Sequence, residues 1–285
     1  MIEPRALLLL GTGVGMLPMR MKSVLRTPLA TVDGIPDAWR GATLFSGAIG
    51  ELAAWILEDA PGRAEEGASI PEGEPAWTRG FPCWLAAASG ANVCVHVSAG
   101  LALVDEPHPR DRAAIEPGTL ALVSDHMNVS GRTPLVGLGA SKLGPLFPAA
   151  STLHHAELRA AALALGLELG LPVAEAVLAC APGPALETAA ERRWWRRAGA
   201  DVAAQGVAEP LLAAAHAGLG TLAIVCVTDR GEAASDVAAI LARAESLAAG
   251  LDELLARLAP ALARAAGGLD AGPATDGDEL ADVDE

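Results

Sequence analysis

The sequence has few cysteines and no long apolar run, and each of these absences excludes a class of protein. Four cysteines are present, and they form no C-x-x-C pair. Cys94, Cys180 and Cys226 lie in apolar strand-like runs, so we expect buried free thiols rather than disulfides or a metal site. The apolar run Ala6–Leu10 is stopped by Gly-Thr-Gly, is too short to span a bilayer and lacks the shape of a signal peptide. We therefore expect a cytoplasmic protein with no membrane contact.

Basic residues are also scarce. The chain has 20 Lys and Arg against 35 Asp and Glu, and its formal net charge is −15. A chain this acidic is poorly suited to nucleic-acid backbones or anionic membrane surfaces. Seven acidic residues and no basic ones fall in Gly268–Glu285. That composition predicts a solvated, disordered acidic tail over residues 268–285.

What remains is enough for one large domain. The chain has 285 residues, of which 52% are hydrophobic and 19% charged, so it can bury a sizeable core. Strand-like runs alternate with helical patterns, which indicates a mostly parallel sheet covered by helices. Pro260 predicts a kink or a division in the last helical pattern. We predict a single α/β domain over residues 1–267. The strand-like runs are Ala6–Leu10, Ala91–Val97, Thr119–Val123, Ala174–Cys180 and Thr221–Val227, and the helical patterns are His155–Gly170, Leu186–Ala198 and Val237–Ala266.

A glycine-rich segment, Gly11-Thr12-Gly13-Val14-Gly15, follows the first predicted strand. Glycines there let backbone amides approach an anion, and the Thr12 hydroxyl adds a donor. A dinucleotide site is the alternative, since Asp33 lies 22 residues beyond Gly11. The G-x-G-x-G spacing and the interrupting Pro18 argue against it, because that fingerprint requires G-x-G-x-x-G and an uninterrupted helix.

Two further segments carry the strongest signal. The polar, turn-rich segment Asp125–Gly137 follows one apolar run, and Gly183-Pro184-Ala185-Leu186-Glu187-Thr188 follows another. Polar groups at the carboxyl ends of strands are where α/β sheets bind ligands. In this order the two segments resemble the D-H-[IM]-N-x-x-G-x-N-P-L and G-P-x-[FY]-E-T motifs of the trimeric purine nucleoside phosphorylases. The resemblance extends from about Leu7 to Ala263.

This resemblance implies a fold and an activity. The fold is a single α/β domain with a central mixed β-sheet flanked by helices, assembled as a homotrimer. The activity is phosphorolysis of purine nucleosides in purine salvage, which yields free base and ribose 1-phosphate. Its partners are a purine nucleoside and phosphate as co-substrate, with no further cofactor. No pair of histidines shows metal-ligand spacing with a carboxylate, so no metal is expected.

The resemblance also assigns the base pocket. Glu187 matches the glutamate that accepts hydrogen bonds from the purine edge, and Leu186 replaces an aromatic residue that packs on the base. Taken alone, Glu187 also suits the start of a helix. Asp229 matches the residue that bonds N7 of the departing base, where a carboxyl group relieves negative charge; taken alone, it also suits a cap of the turn before Gly231. Ala99 and Gly100 match a small-residue strand end whose backbone lines the base and phosphate pockets.

The phosphate and ribose positions depart from the family. Thr12, Ala99 and Gly206 stand at phosphate-binding positions, and Gly206 replaces a serine. Gln205 replaces the methionine that packs under the ribose. The family's phosphate-loop arginine and histidine correspond to Gly67 and Ser69. A guanidinium matches a phosphate dianion in charge and geometry, so either Arg63 or a neighbouring subunit is needed to supply that cation.

These substitutions leave two alternatives to phosphorolysis. The first is a nucleosidase that uses water in place of phosphate. The second is a catalytically impaired homologue that binds purines or nucleosides as a sensor or scaffold.

Two further features carry structural predictions. His126 and Asn128 are candidates for a structural polar network. Arg192, Arg193, Arg196 and Arg197 flank Trp194 and Trp195, and we interpret the arginines as one face of a helix with the tryptophans packed inward or into a subunit contact.

Overall fold

The computed structural model describes most of the chain, in seven stretches. These are residues 2–11, 17–58, 75–104, 106–109, 114–138, 143–230 and 237–268. No helix within these stretches is long and apolar enough to cross a membrane. The predicted acidic tail beyond Gly268 lies outside them, so its disorder stays a prediction.

Within the described stretches, nine strands form one sheet. They are β1 (Ala6–Leu10), β2 (Lys22–Pro28), β3 (Thr43–Ile49), β4 (Leu52–Glu58), β5 (Val93–Ala102), β6 (Leu120–Asn128), β7 (Val173–Ala181), β8 (Val202–Gln205) and β9 (Gly220–Asp229). All five predicted strands are confirmed. The remaining four, β2, β3, β4 and β8, were not predicted.

Five α-helices in the same stretches accompany the sheet. They are α1 (Phe81–Ala88), α2 (Ala156–Glu168), α3 (Ala189–Ala198), α4 (Ala208–His216) and α5 (Val237–Gly268). Helix α3 begins later than the predicted Leu186, because Thr188 adopts an extended conformation and caps the helix. Helix α5 continues through Pro260, so the predicted division is wrong. Burial of Leu255, Leu258 and Leu262 around the proline offsets the backbone bond that it removes.

The sheet is mixed rather than mostly parallel. Its order is β2-β3-β4-β1-β5-β8-β7-β6-β9, and β5 also pairs with β9. Strands β5, β8, β7, β6 and β9 therefore close into a ring, to which β1–β4 add an open extension. Strand β5 is parallel to β1 and β9 but antiparallel to β8, and β6 is antiparallel to β9. The expectation of a mostly parallel sheet is corrected by these antiparallel pairs, and the mixed sheet is confirmed.

Two hydrophobic layers cover the sheet. One packs Leu7 and Leu9 of β1 against α1 and α4, and the other packs Ala6, Leu8 and Leu10 against α2 and α5. Strand β1 is buried on both faces, which explains its continuous apolar sequence. A strand buried on both sides is rigidly held, so the residues at its end are well placed to form a site.

Candidate functional site

The closed ring brings three separate segments of the chain together. Leu101 of β5 pairs with Asp229 of β9 on one side and with Ala203 of β8 on the other. The Thr228 hydroxyl donates a hydrogen bond to the Gly100 carbonyl oxygen over 3.1 Å. The predicted base-pocket residues Gly100 and Asp229 are therefore neighbours at the carboxyl ends of two parallel strands.

Gly100 fits this junction because it has no side chain. A Cβ at this position would lie 2.5 Å from the Ala203 carbonyl oxygen and 2.5 Å from Val225 Cγ1. The carbonyl belongs to the backbone of β8 and cannot move without disturbing the ring. The close contact of β5 with β8 and β9 therefore requires glycine at position 100.

We expect Gly100→Ala to lower the free energy of unfolding by about 1–3 kcal/mol, the usual cost of overpacking. Urea titration of the variant and the parent protein measures it. Gly41→Ala is a matched control, since a Cβ there meets no atom within 4 Å; it should change stability by less than about 1 kcal/mol. Equal effects at the two positions would contradict the role given to Gly100.

Glu187 and Gln205, assigned to the base and the ribose, are in direct contact. The Gln205 side-chain amide donates to Glu187 Oε1 over 3.1 Å and to the Ala185 carbonyl oxygen over 2.9 Å. Gln205 ends β8, whose neighbour β7 leads into the segment that carries Glu187. Gln205 thus orients the carboxylate, a role that the resemblance does not assign to it.

Glu187 is not needed to cap helix α3. Thr188 and Glu191 form a capping box, with each side chain bonded to the backbone of the other residue. The backbone and hydroxyl hydrogen bonds from Thr188 lower the pKa of Glu191. The backbone groups at the helix start are therefore satisfied without the Glu187 carboxylate. Leu186, next to it, is exposed, so its assignment to the base pocket stays a prediction.

Asp229 is half-buried and bonded locally. Its Oδ1 accepts a hydrogen bond from the Arg230 amide over 2.6 Å. None of the described residues donates a hydrogen bond to its Oδ2. This arrangement holds the carboxyl group at the end of β9 while leaving one oxygen for a ligand. Because residues 231–236 lie outside the described part of the chain, the turn-cap alternative keeps only the Arg230 contact as support.

The phosphate positions are only partly described. Thr12, Arg63, Gly67 and Ser69 all lie outside the described residues, so their assignments stay predictions. Gly206 has a φ of 72° and is exposed, and a Cβ there would meet no atom within 4 Å. The position therefore has room for a side chain, but the left-handed backbone favours the glycine that occupies it.

The segment Asp125–Gly137 lies beside Gly183–Thr188, because β6 and β7 are parallel neighbours and Asn128 pairs with Cys180. Asn128 organises the turn that follows it. Its amide donates to the Arg132 carbonyl oxygen over 2.9 Å, and its Oδ1 accepts from the Ser130 hydroxyl over 2.6 Å. The predicted polar role of Asn128 is confirmed.

His126 belongs to a second, separate network. Its Nδ1 lies 3.0 Å from Nε2 of His154, and the rings meet edge to face. Burial, together with the neighbouring His126, lowers the pKa of His154 to about 4, and burial also lowers the pKa of His126. His154 pairs with Thr221 at the start of β9. At about 3.3 Å per residue, that is roughly 26 Å along the strand from Asp229.

A cavity of about 770 Å³ also lies at this other end of β9, between α2 and α5. His154, His155, Ser151, Thr152 and Arg264 contribute to its lining. None of the described residues assigned to the base or ribose lines it. The cavity is thus separate from the predicted site.

Buried histidines make the stability of the fold dependent on pH. Burial lowers the pKa of His96 on β5 to about 4, compared with about 6.5 for an exposed histidine. Below pH 6.5 the unfolded chain gains a proton that the folded chain does not, so stability is lost as the pH falls from 6.5 to 4. His154 acts in the same direction.

For His96 alone we expect a loss on the order of 2 kcal/mol between pH 7 and pH 5. Urea unfolding at both pH values measures it. Comparison with a His96→Leu variant isolates the contribution of His96, since the variant should show a smaller loss over the same interval. A parent protein whose stability does not fall towards pH 5 would contradict the assignment.

Two sequence predictions on thiols and arginines have clear outcomes. All four cysteines are free and buried, as expected, and burial raises the pKa values of Cys180 and Cys226 to about 12.

The four arginines of α3 do not share one face, because Arg196 is only 2% exposed and bonds Asp201. Trp195 packs inward, whereas Trp194 is 58% exposed.

Sequence reasoning missed two polar side chains in β5, His96 and Ser98. Both are buried, and His96 Nδ1 and Ser98 Oγ have no hydrogen-bond partner among the described residues. The available signal was two polar residues at alternate positions of an otherwise apolar strand. The described residues contain no group of three or more His, Cys, Asp or Glu side chains that could hold a metal ion.

Known proteins resemble this chain in sequence. Purine nucleoside phosphorylase 1 of Geobacillus stearothermophilus is 29% identical over 228 residues, which cover 80% of this chain and 78% of that protein. The purine nucleoside phosphorylase of Mycobacterium leprae is 34% identical over 169 residues, 59% of this chain and 55% of that protein.

Solved structures resemble it in fold. A schistosoma purine nucleoside phosphorylase in complex with hypoxanthine has a TM-score of 0.78 at 20% identity, and covers 90% of each chain. The Schistosoma mansoni enzyme in complex with adenosine has a TM-score of 0.76, also at 20% identity and 90% coverage of each chain. Residues 111–259, just over half of the sequence, match the phosphorylase superfamily. The chain therefore belongs to the phosphorylase superfamily.

Proposed function

We propose that this protein cleaves the N-glycosidic bond of purine nucleosides by phosphorolysis, releasing the free base and ribose 1-phosphate. The observation that carries the proposal is the contact between Glu187 and Gln205, two positions that the resemblance assigns to the base and to the ribose. The purine nucleoside phosphorylases among the relatives and structural neighbours support the same reaction.

The reaction assigns distinct roles to the residues of the base pocket. A phosphate oxygen attacks C1′ of the sugar, and the base leaves with the electron pair of the C1′–N9 bond. Glu187 accepts hydrogen bonds from the purine edge, and the Asp229 carboxyl group gives a proton to N7 as the base departs. Leu186 supplies an apolar wall, while the backbone at Ala99 and Gly100 lines the pocket. Solvent then restores the proton on Asp229.

The phosphate-binding part of the proposed site has fewer side-chain donors than the base pocket has polar groups. Thr12, Ala99 and Gly206 are the phosphate positions, with donors from the Thr12 hydroxyl and from backbone amides. Gln205 faces the ribose while it holds Glu187. The missing guanidinium comes either from Arg63 or from a neighbouring subunit. Phosphate is the co-substrate, and no other cofactor enters the proposal.

The proposed enzyme is a homotrimer in the cytoplasm. Exposed apolar side chains lie at the end of the Asp125–Gly137 segment and after it, and Phe147 is 87% exposed. Exposed apolar clusters commonly mark subunit contacts. Val136 and Leu146 are exposed in the same region. Light scattering coupled to size-exclusion chromatography tests the trimer directly, and a monomer at micromolar concentration contradicts it.

The activity is tested with inosine and adenosine, each with and without inorganic phosphate. We expect base release that requires phosphate, with ribose 1-phosphate as the second product. Base release cannot proceed by phosphorolysis if it is unchanged when phosphate is removed. No release from either nucleoside, together with purine binding in calorimetry, would instead identify a binding homologue.

One observation favours a second candidate, a nucleosidase. At Gly206 the family's serine hydroxyl is missing, and the exposed glycine leaves space that water can enter. The same assay distinguishes the two reactions, because a nucleosidase yields free ribose rather than ribose 1-phosphate.

A further inference from the structure

Two buried polar atoms on β5 lack partners within the described chain. Ser98 is 7% exposed and His96 is 5% exposed, yet neither Ser98 Oγ nor His96 Nδ1 has a hydrogen-bond partner there. Buried polar atoms are nearly always bonded, since leaving one unsatisfied is costly. Because these two atoms lie near a strand end beside the candidate site, a bound ligand is a natural hydrogen-bond partner for them.

Both side chains face the layer that contains α1 and α4. Along β5, Val93, Val95 and Val97 pack towards α2 and α5. Cys94 packs in the opposite layer, with residues of α1 and α4. Since side chains alternate along a strand, His96 and Ser98 lie on the side of Cys94.

Ser98 lies where several assigned phosphate elements converge. The Val97 carbonyl oxygen accepts a hydrogen bond from the Gly11 amide over 2.8 Å, which places Ser98 beside the end of β1 and the start of the glycine-rich segment. Helix α4, on the same face as Ser98, begins two residues after Gly206. Ala99, another assigned phosphate position, follows Ser98 directly.

His96 lies deeper than Ser98 and does not supply the positive charge that a phosphate-binding guanidinium would give. Burial lowers the pKa of His96 to about 4, so the imidazole is neutral at physiological pH. Its backbone is flanked by Leu9 of β1 and Ala223 of β9, one step further from the strand end than Ser98. Ser98 is therefore the side chain of the two that lies nearer to an anion at the end of β5.

We propose that the Ser98 hydroxyl donates a hydrogen bond to an oxygen of the phosphate co-substrate, and so replaces the serine hydroxyl that is lost at Gly206. The proposal rests on the proposed phosphorolysis. The hydroxyl contributes binding rather than chemistry, since it gives a neutral donor to an anionic oxygen. Phosphate in turn satisfies an oxygen that is otherwise buried without a partner.

The test compares Ser98→Ala with Ser46→Ala. Ser46 is a buried serine of the same sheet, but its Oγ accepts a hydrogen bond from the Ile2 amide over 3.1 Å. Ser98→Ala should raise the KM for phosphate about 10- to 100-fold, the loss expected for a hydrogen bond to a charged group, and leave the KM for the nucleoside nearly unchanged. Ser46→Ala should leave both KM values unchanged.

Thermal unfolding with and without inorganic phosphate gives a second readout that does not depend on turnover. Without phosphate, Ser98→Ala should be at least as stable as the parent protein, because it removes an unsatisfied buried oxygen. Its gain in melting temperature on adding phosphate should be smaller than that of the parent. Ser46→Ala should show the opposite pattern, with lower stability and a normal response to phosphate.

The outcomes separate this inference from the proposed function. If the parent protein uses phosphate and Ser98→Ala binds phosphate equally well, the Ser98 contact is wrong and phosphorolysis stands. If Ser98→Ala loses stability without phosphate as Ser46→Ala does, the hydroxyl is structural and the inference is also wrong. If the parent protein neither binds nor uses phosphate, phosphorolysis itself fails and the Ser98 contact fails with it.

Discussion

Replacing Asp229 by alanine should lower kcat/KM for nucleoside phosphorolysis by about 100- to 10,000-fold, the range expected for loss of a general acid. The carboxyl group is held at the end of β9 by its bond to the Arg230 amide, beside Gly100. Without it, negative charge accumulates on the departing base and the barrier to bond cleavage rises. Steady-state rates with saturating phosphate measure the loss.

Asp37→Ala provides the control for a change of charge alone. Asp37 is an exposed aspartate whose only described ion pair is with Arg40, three residues away. It should alter kcat/KM by less than about twofold, since isolated surface charges contribute little. A similar small effect at Asp229 would show that its carboxyl group does not take part in base departure.

The second large effect concerns stability. Arg196→Met should lower the free energy of unfolding by about 3–5 kcal/mol, because it removes the guanidinium that balances the charge of a buried carboxylate. Arg196 Nη1 donates to Asp201 Oδ1 over 2.9 Å, and both side chains are almost fully buried. Asp201 Oδ2 also accepts a hydrogen bond from the Val177 amide over 3.0 Å, so this pair ties α3 to β7. Urea titration at pH 7 measures the loss.

Arg197→Met is the matched control for that substitution. Arg197 is adjacent in sequence but 60% exposed, and its ion pair with Glu106 spans 3.6 Å. Screened surface pairs contribute between about 0 and 1 kcal/mol, so the control should be nearly neutral. Comparable losses from the two substitutions would show that burial of the Arg196–Asp201 pair does not set its contribution.

Much of the fold follows from local patterns. Runs such as Ala6–Leu10 and Thr221–Val227 were predicted as strands because they are continuously apolar, and the structure buries them on both faces. By contrast, β2 was missed because it lies at the edge of the sheet and most of its residues are exposed. Strand β8 has only four residues, and Gly47 interrupts the apolar pattern of β3. Short or exposed strands derive their stability from neighbours that a local pattern does not contain.

The candidate site shows the same division. The sequence identified Glu187 and Asp229 from motifs, and it identified Gln205 only as a substitution. The contact between Gln205 and Glu187 joins residues 18 positions apart in the sequence. The hydrogen bond between Thr228 and Gly100 joins residues 128 positions apart. Pairings across such distances depend on ring closure, which local patterns do not specify.

The arginines of α3 illustrate the limit of helical periodicity. Four arginines around two tryptophans suggested one solvated face. Arg196 is instead buried, because Asp201 and the Ala200 carbonyl oxygen lie within hydrogen-bond distance of its guanidinium. A charged side chain is buried only where it can form ion pairs or hydrogen bonds. The acceptors that bond Arg196 here belong to the turn after the helix.

By itself, the sequence determined the α/β class, five of the nine strands that the structure describes, the buried free thiols and the motifs that relate the chain to the phosphorylases. These properties depend on apolar runs and on residue types at fixed spacing, both of which are local. Only the tertiary structure decided the mixed sheet, the closed ring, the Glu187–Gln205 contact and the unpartnered hydroxyl of Ser98. The reason is physical: hydrogen-bond satisfaction and close packing depend on which distant segments meet, and that is settled only when the strands close around β5.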